Sequence, residues 1–264
     1  MTTMFNTYQH VISDKNVTFD GKTLPESLVI NDRGRYKTYY APFDYINMSA
    51  RLVICGITPG MQQATNALNK VAQIMSTDSE VETTELLKHA KEYASFSGSM
   101  RRNLIDMLDF IGLAKWLELD SCARLFDTHA HLVHYTSALR YPVFLDGANY
   151  SGSPSMLSQP ELIAQIDAYL VHELSQLSGC VFLPLGPKVG EVFDSLAQRG
   201  VVNASQVLSG LPHPSGANAE RIKYFLAQKE RAALSNKVNP LSIEKARESL
   251  INKIKSLKSI SSLT

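Results

Sequence analysis

His213 stands between Pro212 and Pro214, a setting that stiffens the chain around an imidazole and suits a side chain that must point at a developing negative charge. Ser215 and the amides of Gly216 and Ala217 follow at the start of a helix, where a phosphate can be seated, and Arg221 and Lys223 reinforce that seat. A second string, Gly56-Ile57-Thr58-Pro59-Gly60, can bring main-chain amides close to a ligand. Thr58 can orient a water or bond a substrate there, but a hydroxyl is no base at neutral pH. The two turns suggest two walls of one pocket. A phosphate grip beside a rigid imidazole, facing a backbone-lined slot, is the geometry expected of an enzyme that holds a flipped nucleotide.

The elements that must carry these residues read as an alternation of strands and helices. Arg51 to Ile57 is a short β-branched run ending at Thr58-Pro59-Gly60, as a buried parallel strand does. Helical spacing covers Thr83 to Tyr93 and Arg101 to Phe110, with Leu104, Ile105, Leu108 and Ile111 on one face of the second. Leu125 to Leu139 holds a second extended segment, and Pro160 to Leu177 a long amphipathic helix. Cys180 to Leu185 is a third strand, followed by a helix over Val189 to Leu196. Val207-Leu208 enters the His213 turn, and Ala219 to Ala233 reads as the helix after it. This order predicts an α/β fold: a three-layer sandwich whose central, mostly parallel four-stranded sheet is flanked by helices, with ligands at the carboxyl ends of the strands.

Residues 1–50 show no clear period and are read as an N-terminal cap, 51–233 as the catalytic domain and 234–264 as a basic helical tail. From Lys229 to Lys258 there are eight Lys or Arg against three Glu. An apolar stripe of Ile243, Ala246, Leu250, Ile254 and Leu257 favours a helix packed on the body over a DNA-tracking arm. The net charge of +1 over 264 residues means that a polyanion such as DNA must be held by a local patch rather than by the global field. Cys55, Cys122 and Cys180 are far apart with no paired spacing, which argues against disulfides, a metal or an iron–sulfur cluster and for buried fillers. No signal-like N-terminus or long apolar run is present, so the expectation is a cytoplasmic monomer without membrane contact or cofactor.

Taken together, the chain resembles the uracil-DNA glycosylase superfamily. The strand-end string Gly56 to Gly60 is similar to the family's G-x-x-P-G type motif, and His213-Pro214-Ser215-Gly216-Ala217-Asn218 to its late H-P-S turn. Ser95-Phe96-Ser97-Gly98 before a helix, and the strand Cys180 to Leu185 leading into Gly186, also match in order, so the resemblance runs from about Arg51 to Phe225. It implies a monofunctional glycosylase in which His213 bonds the departing base and Phe96 stacks on it, with Gly56, Ile57, Pro59 and Gly60 shaping the base side. Gln62, Gln63, Ser215, Gly216, Ala217, Asn218, Arg221 and Lys223 would meet DNA.

The departures bear on substrate. Thr58 stands where the family orients water with Asp or Asn, and Gly60 where its strictest uracil enzymes have a Tyr that blocks the C5 substituent. Ala217 is near the position of the wedge residue, commonly Leu. The family's base-reading Asn falls at His134 or Tyr135, with Asn149 in the following loop as the fallback. An open C5 side and an altered reader imply a uracil-like base or a 5-substituted pyrimidine, as in phage DNA, where the role would be defence. Two other classes stay open: a metal-dependent hydrolase built on Asp127, His129 and His131, and a nucleic-acid-binding module that has lost catalysis.

Overall fold

The computed structural model describes residues 4–78, 80–96 and 98–257. In chain order the elements are α1 (Met4–Ser13), β1 (Val29–Arg33), β2 (Tyr36–Tyr39), β3 (Leu52–Gly56), α2 (Met61–Thr77), α3 (Thr83–Ala94), α4 (Gly98–Phe110) and α5 (Leu113–Trp116). Then come β4 (Val133–Ser137), β5 (Val143–Leu145), β6 (Ala148–Asn149), α6 (Pro160–Gln165), α7 (His172–Ser175), β7 (Val181–Pro184), α8 (Pro187–Gln198), α9 (Ala219–Phe225) and α10 (Pro240–Ser256). The mixed α/β class holds. The chain divides into two compact units, one of Met1–Asn47, Gly56–Ser95 and Tyr135–Gln176, the other of Met48–Cys55, Phe96–His134 and Leu177–Thr264.

In the first unit the segment expected to be a cap is integral to the fold. β1 and β2 form a hairpin across Gly34, whose φ of 61° suits glycine, and β2 pairs antiparallel with β5, which pairs with β6. The Asp146-Gly147 turn between β5 and β6 has φ of 50° and 82°, left-handed at both positions as a tight hairpin requires. Helix α2 buries Ala64, Ala67, Leu68 and Val71, a stripe at helical spacing, into a core with Phe5, Leu28, Tyr40, Leu87 and Tyr141. The long helix read over Pro160 to Leu177 forms, but its middle, Ile166–Val171, widens into a π-turn.

The second unit carries β7 and β3 up to Cys55, while β4 passes from it into the first unit at Tyr135. The three-stranded sheet has the order β4-β3-β7, with β3 and β7 parallel, Leu52 opposite Val181 and Cys55 opposite Pro184. Its apolar, β-branched strands are buried on both faces, as parallel strands are. The fourth strand of the expected sheet does not form among the described residues; the run Val207-Leu208, which enters the His213 turn, contributes one parallel bridge, Phe182 to Val207. Pro212 and Pro214 lack the amide hydrogens a longer ladder would need, and Lys253 Nζ takes the Val207 carbonyl at 2.9 Å. The helix expected over Ala219 to Ala233 stops at Phe225, and Ala227 turns into the left-handed region at φ 57°. The tail forms α10, which buries Leu250 and Ile254, while Arg247 donates to the carbonyls of Tyr224 and Phe225. It packs on the body rather than forming a free arm.

All three cysteines are buried and outside any disulfide, and burial pushes the Cys122 thiol well above its ordinary value. Among the described residues no helix is long and apolar enough to cross a membrane.

Candidate functional site

The Gly56–Gly60 string leaves the end of β3 and lies against residues 136–149 of the first unit. Thr58 is fixed there: its hydroxyl donates to the Tyr141 carbonyl at 2.9 Å and accepts from the Val143 amide at 3.1 Å. With its proton committed, Thr58 retains one acceptor lone pair, so it can receive a hydrogen from a water but cannot donate to a substrate. Gln63, expected to meet DNA, instead serves the loop, its Oε1 accepting from the Gly60 amide at 3.2 Å and its Nε2 donating to Ala94 O at 3.4 Å. Gln62 is exposed and donates to Asn66.

Asn149, expected on the base side, is brought to this loop. It is exposed on β6, and its Oδ1 accepts from the Met61 amide at 3.1 Å, which fixes the orientation of the amide group. The Nδ2 donors then lie beside Gly60, 3.7 Å from where a Cβ on that residue would stand. Gly56 is close-packed on Ser137 Oγ and Thr136 O of β4. On β4, His134 is 1% exposed and Tyr135 9%, and consecutive strand residues point to opposite faces.

In the second unit, His213 follows the bridge to β7 and packs on the start of α8. Gly186 ends β7 with φ of 82°, and a Cβ there would come within 3.1 Å of the His213 Cβ, so only glycine allows this approach. The Ser215 amide donates to His213 Nδ1 at 3.3 Å. An accepting Nδ1 places the proton of the neutral ring on Nε2. Burial holds the imidazole below its ordinary value, and the amide at Nδ1 opposes a second proton there, so the neutral form is the one presented at neutral pH. The ring is therefore a fixed Nε2–H donor.

The expected phosphate seat is only partly available. The Ser215 amide is engaged by His213, whereas Gly216 and Ala217 lie exposed in a short 3-10 turn. Asn218 does not cap α9: its Nδ2 donates to Ser215 Oγ and its Oδ1 accepts from Arg221, which also donates to Lys237 O at 2.8 Å. Lys223 is exposed on α9.

Sequence reasoning missed the residues of α4 that hold this machinery. Asn103 Nδ2 donates to Pro214 O at 2.9 Å, bracing the turn that carries His213. Arg101 Nε donates to Phe96 O at 2.7 Å, and its guanidinium stacks on the Phe126 ring. Phe96 has φ of 24°, in a region that disfavours side chains by about 1–2 kcal/mol, and the Arg101 bond to its carbonyl is one contact that holds it there. The spacing F-x-x-x-x-R-x-N, which runs from Phe96 into α4, carried no signal of these contacts. Asn103→Ala is expected to remove one hydrogen bond worth about 1 kcal/mol and to lower Tm by about 2–4 °C. Thermal melts check it.

The Asp127, His129 and His131 grouping does not form as an extended face. Ala130–Leu132 is a 3-10 turn with His129 at its start, and the Asp127 carboxylate is taken by the amide and hydroxyl of Thr128. The two imidazole centroids are 5.8 Å apart, and among the described residues no group of three or more His, Cys, Asp or Glu is placed to hold a metal.

An uncharacterized protein of Bacillus subtilis (strain 168), YoxB, is 38% identical to this chain over 196 residues, which cover 73% of the chain and 76% of YoxB. The chain belongs to the YoxB family. No family model matches it, and no solved structure does. Within the YoxB family, then, this chain presents a fixed imidazole donor on one unit and an amide-guarded glycine loop on the other.

Proposed function

We propose that the chain is a monofunctional DNA glycosylase of the uracil-DNA glycosylase superfamily, which flips a base out of DNA and hydrolyses its N-glycosidic bond to leave an abasic site. The observation that carries the reading is His213: a neutral, partly desolvated imidazole whose Nε2–H is fixed by the Ser215 amide at Nδ1 and by close packing on Gly186. As the C1′–N bond breaks, its electron pair leaves with the base. A donor pre-aimed at the base oxygen stabilises that charge without reorganisation. Water then adds to the oxocarbenium-like sugar at C1′ and releases a proton. Phe96 would stack on the flipped base, and the exposed amides at Gly216 and Ala217 with Lys223 would meet the DNA backbone.

The parallel β3–β7 core with its Phe182–Val207 bridge supports the finer fold, a three-layer sandwich on a four-stranded sheet. Substrate follows from the loop: Gly60 leaves the base edge open and Asn149 Nδ2 is a donor beside it, which fits a uracil-like or 5-substituted pyrimidine. One observation favours a second reading, a binding module without catalysis: Thr58 has its proton engaged by Tyr141.

Oligonucleotides carrying uracil, hypoxanthine, 5-hydroxymethylcytosine or glucosylated cytosine, as single strands and duplexes, separate the two. Base release with alkali-sensitive abasic sites, unchanged by chelator, is the expected result. Tight complexes with no release from any of these substrates would establish the binding module instead.

A further inference from the structure

The Gly56–Gly60 loop takes its shape from residues 138–143. The Ala138 amide donates to Gly56 O at 2.8 Å and the Leu139 amide to Ile57 O at 2.9 Å, while Thr58 bonds Tyr141 O and the Val143 amide. That segment is in turn anchored inward by two consecutive side chains. Arg140 donates to Glu173 Oε2 from Nε at 3.0 Å and from Nη2 at 2.7 Å, and Nη2 also reaches the Tyr169 carbonyl within the π-turn at 3.0 Å. The Tyr141 hydroxyl donates to Asp44 Oδ1 at 2.6 Å, and Tyr40 donates to Asp44 Oδ2 at 2.7 Å.

Lys91 completes the group, donating to Tyr45 O at 2.7 Å with its Nζ 3.5 Å from Glu173 Oε1. The Ser95 amide and hydroxyl both donate to the Lys91 carbonyl, so the end of α3 hangs on the same residue. Two cations and two carboxylates thus lie inside the first unit, Glu173 with no exposed surface at all. Buried ion groups of this kind rarely add stability beyond what apolar side chains of the same size would give. What charges and phenols add is a single allowed geometry. Burial pushes the Asp44 carboxyl up and pulls Lys91 down to about 8, so the arrangement works against the ordinary preference of both groups.

We propose that Asp44, Tyr141, Arg140 and Glu173 are positioning residues for the Gly56–Gly60 loop, fixing through residues 138–143 the main chain and the Thr58 hydroxyl that a ligand meets. That the ligand is a flipped base rests on the glycosylase reading; that the network sets the loop does not.

Full-length Tyr141→Phe and Asp44→Leu test it. The first deletes the donor and the second the acceptor of the Asp44–Tyr141 hydrogen bond with side chains of similar shape, and the second decides the matter if the first fails to fold. Amide hydrogen exchange is read at Leu139 and Val143, with Leu208, bonded to Phe182 O in the other unit, as reference. Exchange at Leu139 and Val143 should quicken at least about tenfold with Leu208 unchanged. Single-turnover base release should slow about tenfold while affinity for the DNA substrate changes less than about twofold, the split that misplacement rather than lost contact produces. A folded variant with unchanged exchange at Leu139 and Val143 overturns the proposal, as does faster exchange with an unaltered rate. If the wild type releases no base, the glycosylase reading fails and the exchange measurement alone decides this one.

Discussion

On the proposed glycosylase reading, replacing His213 with alanine is expected to slow base release by about 100- to 1,000-fold, the loss seen when one pre-aimed donor to a developing oxyanion is removed. Nε2 is the atom concerned, because the Ser215 amide occupies Nδ1. Binding of the DNA substrate should weaken far less, since the donor acts on charge that appears only as the bond breaks. The pH profile supplies the second readout. Burial lowers the His213 value below 6.5, so the rate plateau should extend under that pH and fall only where the ring takes a second proton and loses the Ser215 bond. The sign for stability agrees: the unfolded chain accepts that proton more readily, so falling pH also destabilises the fold. Alanine at 213 should leave a flat acid limb. A full-rate His213→Ala variant would remove the imidazole from the chemistry.

What the sequence shows of this site divides by physical cause. The strands β3 and β7 and the helices α3, α4 and α8 are legible because buried β-branched runs and helical apolar stripes leave periodic traces. The β5–β6 hairpin carries a local signal in Asp146-Gly147, but the antiparallel sheet it belongs to, which draws the N-terminal residues into the fold, rests on pairings distant in sequence. Helix α2 leaves the same kind of trace, Ala64, Ala67, Leu68 and Val71 at helical spacing, but two of those four side chains are single methyl groups, which mark a face less plainly than Leu or Ile do. The proline-flanked histidine could be found from residue types alone. Its tautomer, set by a main-chain amide, could not. Asn103 and Arg101 serve by bonding backbone carbonyls, and nothing in composition or spacing marks a polar helix residue as bonding its neighbour's main chain rather than water. Lys91 and Glu173 sit in helices among other charged residues and read as solvated, although they are among the most deeply buried groups of the chain.

That burial sets the second large effect. Glu173→Ala is expected to lower stability by about 3–5 kcal/mol, the usual result of leaving a buried cation without its partner, and Tm by roughly 10 °C. Against the about 5–15 kcal/mol that holds a typical domain folded, this is a fifth or more of the total. Most of the loss should come from Arg140 rather than Lys91. Lys91, already pulled down to about 8 by burial, can shed its proton once Glu173 is gone, whereas a guanidinium cannot. Lys91→Met should therefore be much the milder change, because Glu173 keeps two hydrogen bonds from Arg140. Adding Arg140→Leu to Glu173→Ala should recover part of the lost stability, since it removes the stranded charge, giving a coupling that a double-mutant cycle in denaturant reads directly. Equal losses from Lys91→Met and Glu173→Ala, or no recovery in the double variant, would show that Arg140 is not the group Glu173 neutralises.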